Sequence, residues 1–380
     1  MAILKFSKGH DIFRERLTSF LAQEVTPHVA QWEKDHIVPK NVWQKVGRAG
    51  FLCPAIAKDF GGIGGDFLYS FIVAEELSRN FHSGLAVSLH SDVVVPYLDT
   101  FGSPEQKARY LPGCVTGDII TAVAMTEPDA GSDLAGMKTT AVEQGDQVVI
   151  NGSKTFISNG INCDLVVLAA VDPEVENKHE AVSLYLLEKD TPGFKRGRQL
   201  DKMGWHSQDT AELFFSDCCI PTTNRLGEKG AGFFQLMMKL QQERLVCSMG
   251  AVFAAERIME FIVAYCKETR VNDKPLTRSQ AVAFALVEMA TDVKLGRTFV
   301  EKLCADHMAE ENVVVETSMA KFWTTDMVNR VAERAMDLCG ESALLESNPI
   351  ARAKRDVRAM SIFAGTNEIM KGIAGKFMGL

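Results

Sequence analysis

QVVINGSKTFISNG (147–160), DLVVLAAV (164–171), AVSLYLLEKD (181–190) and AELFFSDCCIP (211–221) are the stretches whose reading decides the fold. Each is a short apolar or alternating run broken by Gly, Asn or Asp, the texture of β-strands. That texture runs from about 118 to 226, and the chain is helical on both sides of it. Upstream, FSKGHDIFRERLTSFLAQEVTPHVAQWEKD (6–35), VWQKVGRAGF (42–51) and SFIVAEELSRNF (70–81) space their apolar residues by three and four. Downstream, helical periodicity covers 233–268, 277–308 and 315–339. The order predicts a multi-domain α+β protein: an N-terminal α-helical domain over 1–117, a middle β-barrel or sandwich domain over 118–228 and a C-terminal four-helix bundle over 229–380. No internal repeat is visible.

Composition narrows the chemistry. The 380 residues carry 41 Lys and Arg against 49 Asp and Glu, a net charge of −8, and 46% are hydrophobic. This is an ordinary globular composition, and its mild acidity argues against a nucleic-acid sleeve or a basic membrane-binding face. No apolar run reaches the roughly 18 residues that a bilayer demands, so no stable membrane insertion is expected. The nine cysteines are odd in number and form no CxxC pair, which reads as reduced, mostly buried thiols. His82 and His90 suit facing helical turns but lack a third ligand; both read as structural, and no metal site is expected. FGGIGGD (60–66) fails the GxGxxG spacing and follows helical sequence, so it reads as a flexible loop. Signatures of P-loop, nucleophile-elbow and zinc-protease chemistry are missing.

Four segments carry groups suited to chemistry. In AVAMTEPDAGSD (122–133) a strand-like run enters a turn where Thr126, Gly131 and Ser132 present hydroxyls and accessible N–H groups. In NGSKTFISNG (151–160) the alternation of Lys154, Phe156 and Ser158 puts them on one strand face, where an aromatic beside a hydroxyl suits a flat cofactor. In LMMKLQQERLVCSMGA (236–251) Glu243 has Lys239, Leu240, Val246 and Cys247 as its helical neighbours. Apart from Lys239 that face is apolar, and a carboxylate held there has a raised pKa, as a general base acting on a carbon acid requires. At the C-terminus, MSIFAGTNEIMKGIAGKFMGL (360–380) has a Gly-Thr turn opening an amphipathic segment, with Thr366 and Glu368 at its start. Taken singly, the first two read more readily as structural turn and sandwich packing, and Glu243 as a partner of Lys239 on a solvated face.

Taken together and in order, MTEPDAGSD, NGSKTFISNG, KMGWHSQDTAELFFSD, LQQERL, RDVR and AGTNEIM resemble the acyl-CoA dehydrogenases over nearly the whole chain. HSDVVVPYL, SQDTAELFF and GTNEIMK resemble the long-chain branch most. The resemblance implies an FAD enzyme that oxidises a medium- or long-chain or branched acyl-CoA to the trans-2-enoyl-CoA. A base takes the α-proton, the β-hydrogen leaves as hydride to flavin N5, and an electron-transfer flavoprotein accepts the electrons. In most of the family the base is a Glu directly before the C-terminal Gly-Thr; here that position is Ala364. In the long-chain and isovaleryl branches the base lies in an ERL context, here Glu243. The resemblance further implies flavin-ring contacts from Met125, Thr126, Phe156 and Ser158, and phosphate contacts from Gly131 and Ser132, with Ser132 also meeting the CoA arm. Arg244 matches an arginine beside the CoA cleft, the N–H of Ala364, with Gly365 beside it, a donor to the thioester carbonyl, and Thr366 and Glu368 contacts to the FAD pyrophosphate and ribose. A homotetramer built as a dimer of dimers is implied as well.

The pattern departs from the family in one place. The family holds the FAD adenosine half with Arg-x-x-Phe-Gly and Gln-x-x-Gly-Gly-x-Gly segments of a neighbouring subunit. Here Gln280 and Gly340 match, but the other positions are Thr269, Asn272, Asp273, Asp337, Glu341 and Ala343, with Arg270 one residue from the expected arginine. A lost cation and added carboxylates weaken pyrophosphate binding. Two rival readings follow: an oxygen-using, acyl-CoA oxidase-like relative, and a non-catalytic member with weakened FAD binding. The N-terminal sequence lacks secretory and transit features, so a bacterial cytoplasm is expected, or the mitochondrial matrix for a processed eukaryotic chain.

Overall fold

The computed structural model describes residues 3–79, 82 and 84–380. Asn80 and Phe81, the end of the third upstream helical run, lie outside the described residues. Helices α1 (Lys8–Glu24), α2 (Val29–Asp35), α3 (Lys40–Arg48), α4 (Phe67–Arg79), α5 (Val95–Phe101) and α6 (Pro104–Thr116) precede the strands. Ser7 and Ser103 close capping boxes at the starts of α1 and α6. A π-helical turn, Leu89–Val94, leads into α5.

Strands β1 (Thr121–Ala124), β2 (Thr140–Gln144), β3 (Gln147–Ser158), β4 (Leu165–Val171), β5 (Val182–Glu188), β6 (Phe194–Gln199), β7 (Thr210–Pro221) and β8 (Arg225–Leu226) follow the path β6-β7-β3-β2-β4-β5-β8, with β1 parallel to β4. Among the described residues the two halves share one ladder pair, Thr140 with Val171, and the end strands β6 and β8 do not pair, so the sheet folds over its core without closing as a barrel. β4 and β5 explain their unbroken apolar sequences. Val166, Leu168, Ala170, Tyr185 and Leu187 face the core between the halves. Leu165, Val167, Ala169, Val182, Leu184 and Leu186 face the N-terminal helices. Both faces are buried, so alternation disappears.

α7 (Gly232–Glu268), α8 (Gln280–Met308) and α9 (Val314–Cys339) form the C-terminal bundle, with the short α10 (Pro349–Arg358) and α11 (Asn367–Phe377) packed on α9 in place of a fourth long helix. Between α7 and α8 the strands β9 (Arg270–Val271) and β10 (Lys274–Pro275) make a small hairpin. At 37 residues, α7 is about 55 Å long. Leu236, near its start, belongs to the N-terminal core, and Leu245 to Ile262 belong to the C-terminal core. The three layers lock together where Glu33 of α2 accepts from the Ser207 N–H (3.1 Å) and Trp205 N–H donates to Asp356 of α10 (2.6 Å).

Two expectations change. FGGIGGD is pinned rather than loose: the N–H groups of Gly62, Gly64 and Gly65 donate to the carbonyls of Ala57, Ile56 and Pro54, and a Cβ at Gly62 would lie 2.0 Å from the Ile56 oxygen. His82 and His90 do not face each other as a pair. His82 bonds the Thr26 hydroxyl (3.1 Å), and His90 bonds Thr121 (2.8 Å) and the Cys114 carbonyl (3.0 Å).

The buried Lys154–Glu127 ion pair (2.8 Å) ties β3 to the loop after β1. Burial pulls the Lys154 ammonium down to about 8 against the pull of Glu127. Lys154→Met, which strands the carboxylate, is expected to cost about 3–5 kcal/mol. Adding Glu127→Gln should recover part of this, because it removes the stranded charge while the amide oxygen still accepts from one of the Lys138 and Thr139 N–H groups, which bond different oxygens of Glu127. Chemical denaturation of the single and double variants measures both.

Candidate active site

The loop after β1 and the end of β3 are cross-linked. Besides Glu127, the Lys154 ammonium donates to the Met125 carbonyl (2.9 Å), and the Thr155 N–H donates to the Thr126 carbonyl (2.9 Å). Met125 and Thr126 are therefore fixed beside β3, and the Thr126 hydroxyl has no protein partner among the described residues. Gly131 and Ser132 lie in the exposed turn beyond the Glu127–Ala130 bridge.

The simple alternation expected for Lys154, Phe156 and Ser158 is broken. Against β7, Lys154 pairs with Leu213 but Ile157 with Ala211, so one extra residue bulges out. Lys154 is buried, while Phe156 takes a left-handed backbone (φ 56°) and is 67% exposed. Left-handed geometry is strained for a bulky side chain, and such strain concentrates at functional sites. The bulge presents an aromatic face that packing leaves uncovered. Ser158, paired with Thr210, is half-buried nearby.

Glu243 lies on α7 where the helix leaves the N-terminal core for the bundle. One carboxylate oxygen, Oε2, is sealed from solvent without a hydrogen-bond partner. Burial raises the carboxyl to about 7, against the attraction of Arg244 and Lys321. Lys239 lies 5.8 Å from the Phe101 ring centroid and forms no ion pair with Glu243 among the described residues. The desolvated reading of Glu243 thus replaces the solvated pair. Arg244 is buried beside it, its Nε unpartnered, and the Tyr97 hydroxyl is another buried, unpartnered group in the same field.

The C-terminal turn runs alongside this part of α7. The Cys247 thiol points at the Met360 carbonyl (3.8 Å), and the Phe363 ring meets Trp205 at 5.6 Å. Ala364 (φ 56°) and Gly365 (φ 89°) are successive left-handed residues. The φ of Gly365 favours glycine; a Cβ there would meet only the movable end of the Met370 side chain (2.7 Å). The N–H groups of Ala364 and Gly365 donate to no protein acceptor among the described residues. Thr366 caps α11, its hydroxyl accepting from the Ile369 N–H (3.3 Å), and Glu368 sits exposed in the first turn.

Arg270, Gln280 and Gly340 lie elsewhere. Arg270 is in the hairpin that follows α7, Gln280 opens α8, and Gly340 ends α9. Among the described residues no hydrogen bond, ion pair or ring contact joins them to 125–132, 156–158 or 364–368. Tyr97 and Lys321 went unnoticed in the sequence. Tyr97 has only its place in HSDVVVPYL as a signal, and a lysine on a long helix reads as a solvated face.

Fold and site together define a class. Family models of the acyl-CoA dehydrogenase N-terminal, middle and C-terminal domains match residues 7–118, 122–218 and 230–379. The chain belongs to the acyl-CoA dehydrogenase family of enzymes. It is 41% identical to the long-chain specific acyl-CoA dehydrogenase of Sus scrofa mitochondria over 372 residues, covering 98% of this chain and 86% of that protein. The crystal structure of an acyl-CoA dehydrogenase from Geobacillus kaustophilus aligns over 100% of both chains with TM-score 0.98 and 48% identity. A prolyl acyl carrier protein oxidase aligns over 99% of this chain and 100% of its own, with TM-score 0.92 and 28% identity.

The raised pKa of Glu243 has a thermodynamic signature. The carboxyl titrates near 4.5 when unperturbed and near 7 in the fold, so the folded state holds the proton more tightly. This contribution to stability is complete below pH 4.5 and is lost as pH rises through about 7. Glu243→Gln should match the parent at pH 4.5 and exceed it by about 3 kcal/mol at pH 8.5. Denaturation of the two proteins at both pH values gives the difference; an equal offset at both would refute the assignment.

Proposed function

We propose that the chain is an FAD-dependent acyl-CoA dehydrogenase that forms trans-2-enoyl-CoA from medium- or long-chain or branched acyl-CoA, with Glu243 as the base. The observation that carries this is the sealed, unpartnered Oε2 of Glu243 beside a left-handed turn with unengaged N–H groups, in a chain with Ala364 where most of the family has a Glu. A carboxylate with a pKa near 7 accepts the α-proton at neutral pH and is a stronger base than a solvated one. The N–H groups at 364 and 365 supply donors for the charge that develops on the thioester oxygen as that proton leaves.

The residues present fit FAD. Phe156 offers the uncovered aromatic face, and Met125, Thr126 and Ser158 stand beside it on cross-linked backbone. FAD supplies the two-electron acceptor for the β-hydrogen. Gly131, Ser132, Thr366 and Glu368 hold its phosphate and ribose region, and Arg270, Gln280 and Gly340 serve the adenosine half of a neighbouring subunit's cofactor in a homotetramer. Arg244, buried next to the base, offers positive charge to the acyl-CoA at the inner end of its cleft. An electron-transfer flavoprotein takes the electrons onward. The long-chain specificity in the name of the porcine relative supports the longer acyl chains.

Anaerobic mixing of the purified flavoprotein with acyl-CoAs of graded length and branching should bleach the flavin most with the longer or branched chains. Glu243→Gln should keep the flavin spectrum and lose this reduction by orders of magnitude. Near-normal reduction would overturn the assignment, and fast reoxidation by air with peroxide release would make the protein an oxidase. In Glu243→Ala, adding Ala364→Glu should restore part of the rate, because both positions face one α-carbon in this reading. A double variant as inactive as the single one would refute that shared geometry.

A further inference from the structure

Lys321 of α9 is fully buried, and among the described residues no carboxylate lies within ion-pair distance of it. A buried ammonium without a counter-ion is costly and is kept only where other groups compensate it. Here the groups it bonds directly both belong to the turn that carries Ala364, while Asp326 and Glu368 act on it through space. The Lys321 ammonium donates to the Gly365 carbonyl (2.6 Å) and to Asn367 Oδ1 (3.1 Å). Asn367 is itself held on every side: its Oδ1 accepts from Thr325 (3.0 Å), and its Nδ2 donates to Asp326 (2.8 Å) and to the Phe322 carbonyl (3.3 Å).

We propose that Lys321 is a positioning residue for the dehydrogenation: it clamps the 364–367 turn from behind, so that the turn's free N–H groups stay aimed at the thioester oxygen, and it leaves its positive charge behind that oxygen. The clamp matters because Ala364 is held in a left-handed conformation that costs a non-glycine residue about 1 kcal/mol or more and relaxes unless its surroundings fix it. The ammonium also attracts the Glu243 carboxylate and the Cys247 sulfur, which places it on the side of the base. In the step it assists, the α-C–H bond breaks, Glu243 takes the proton, and the electron pair moves onto the thioester oxygen as an enolate. Lys321 touches none of the reacting atoms; it acts through the turn.

This inference rests on the reading of Glu243 and the turn as an acyl-CoA site. The test uses the FAD-loaded protein and an acyl-CoA with sulfur in place of the β-carbon, which enolises but has no β-hydrogen to lose. Exchange of its α-protons in D2O reports proton abstraction alone. An S-alkyl-CoA thioether, which lacks the carbonyl, reports binding that owes nothing to the turn. Lys321→Met should slow exchange about 100-fold, and Lys321→Gln, which keeps N–H donors but no charge, about tenfold, while thioether affinity stays within about twofold. Exchange within about twofold of the parent, or a parallel loss of thioether and thioester binding, overturns the role. If Lys321→Met does not fold, Lys321→Gln decides by the same criteria. Glu243→Gln is the control: if it exchanges like the parent, the reading of the site fails. If it is inert while the Lys321 variants exchange normally, only the positioning role fails.

Discussion

A carboxylate held out of water at one point along α7 is the constraint around which the rest of the molecule is arranged. The cost of sealing Oε2 of Glu243 from water is met because α7 is shared by two hydrophobic cores. Leu236 anchors it among the N-terminal helices and Leu245 onward in the bundle, so the position between them cannot swing into solvent. A shorter helix ending in either core would leave this residue at a frayed, hydrated terminus. The pKa near 7 follows from that architecture, since burial raises it while Arg244 and Lys321 stop it from rising further. One helix thus sets both where the carboxyl is and how tightly it holds its proton.

The two buried lysines show two solutions to one problem. Lys154 has a carboxylate partner, Glu127, and the pair staples a loop to a strand. Lys321 bonds only a carbonyl and an amide oxygen, and the carboxylates that act on it, Asp326 and Glu368, do so without direct contact. An ion pair is a short-range clamp whose field cancels with distance. An ammonium bound by neutral oxygens is a clamp that retains a field. The first fixes backbone behind an aromatic face; the second holds the 364–367 turn.

Much of this was legible in the sequence. The change of period near 118 and 230 marked the layers, and unbroken apolar runs in β4 and β5 agree with burial on both faces. β6, FKRGRQ, was not legible: Gly197 and three cations hide its pattern, and the glycine is there because a Cβ would meet the Phe214 ring at 2.6 Å. The bulge at Phe156 was invisible for a related reason. Period-two alternation in KTFIS fits a regular strand as well as a bulged one, and only pairing with β7 distinguishes them. Glu243 stood out in the sequence only in combination with Ala364, and Lys321 not at all, because its partners are backbone and amide oxygens some 45 residues away in sequence.

The departures from the family pattern at 269–273 have a local physical cause. Val271 pairs with Lys274, leaving Asn272 and Asp273 as a two-residue hairpin turn, and both are left-handed (φ 49° and 59°). Asn and Asp are among the few side chains that tolerate this geometry, so the residues at these positions are those a tight turn selects. Arg270 braces the turn by donating to the Asp273 carbonyl (3.0 Å). Nor does the carboxylate of Asp273 make the hairpin acidic. Arg270, Lys274 and Arg278 accompany it between 269 and 278, three cations against one anion. Within 269–278 the balance of charge is therefore positive, with Arg270 one residue along from Thr269.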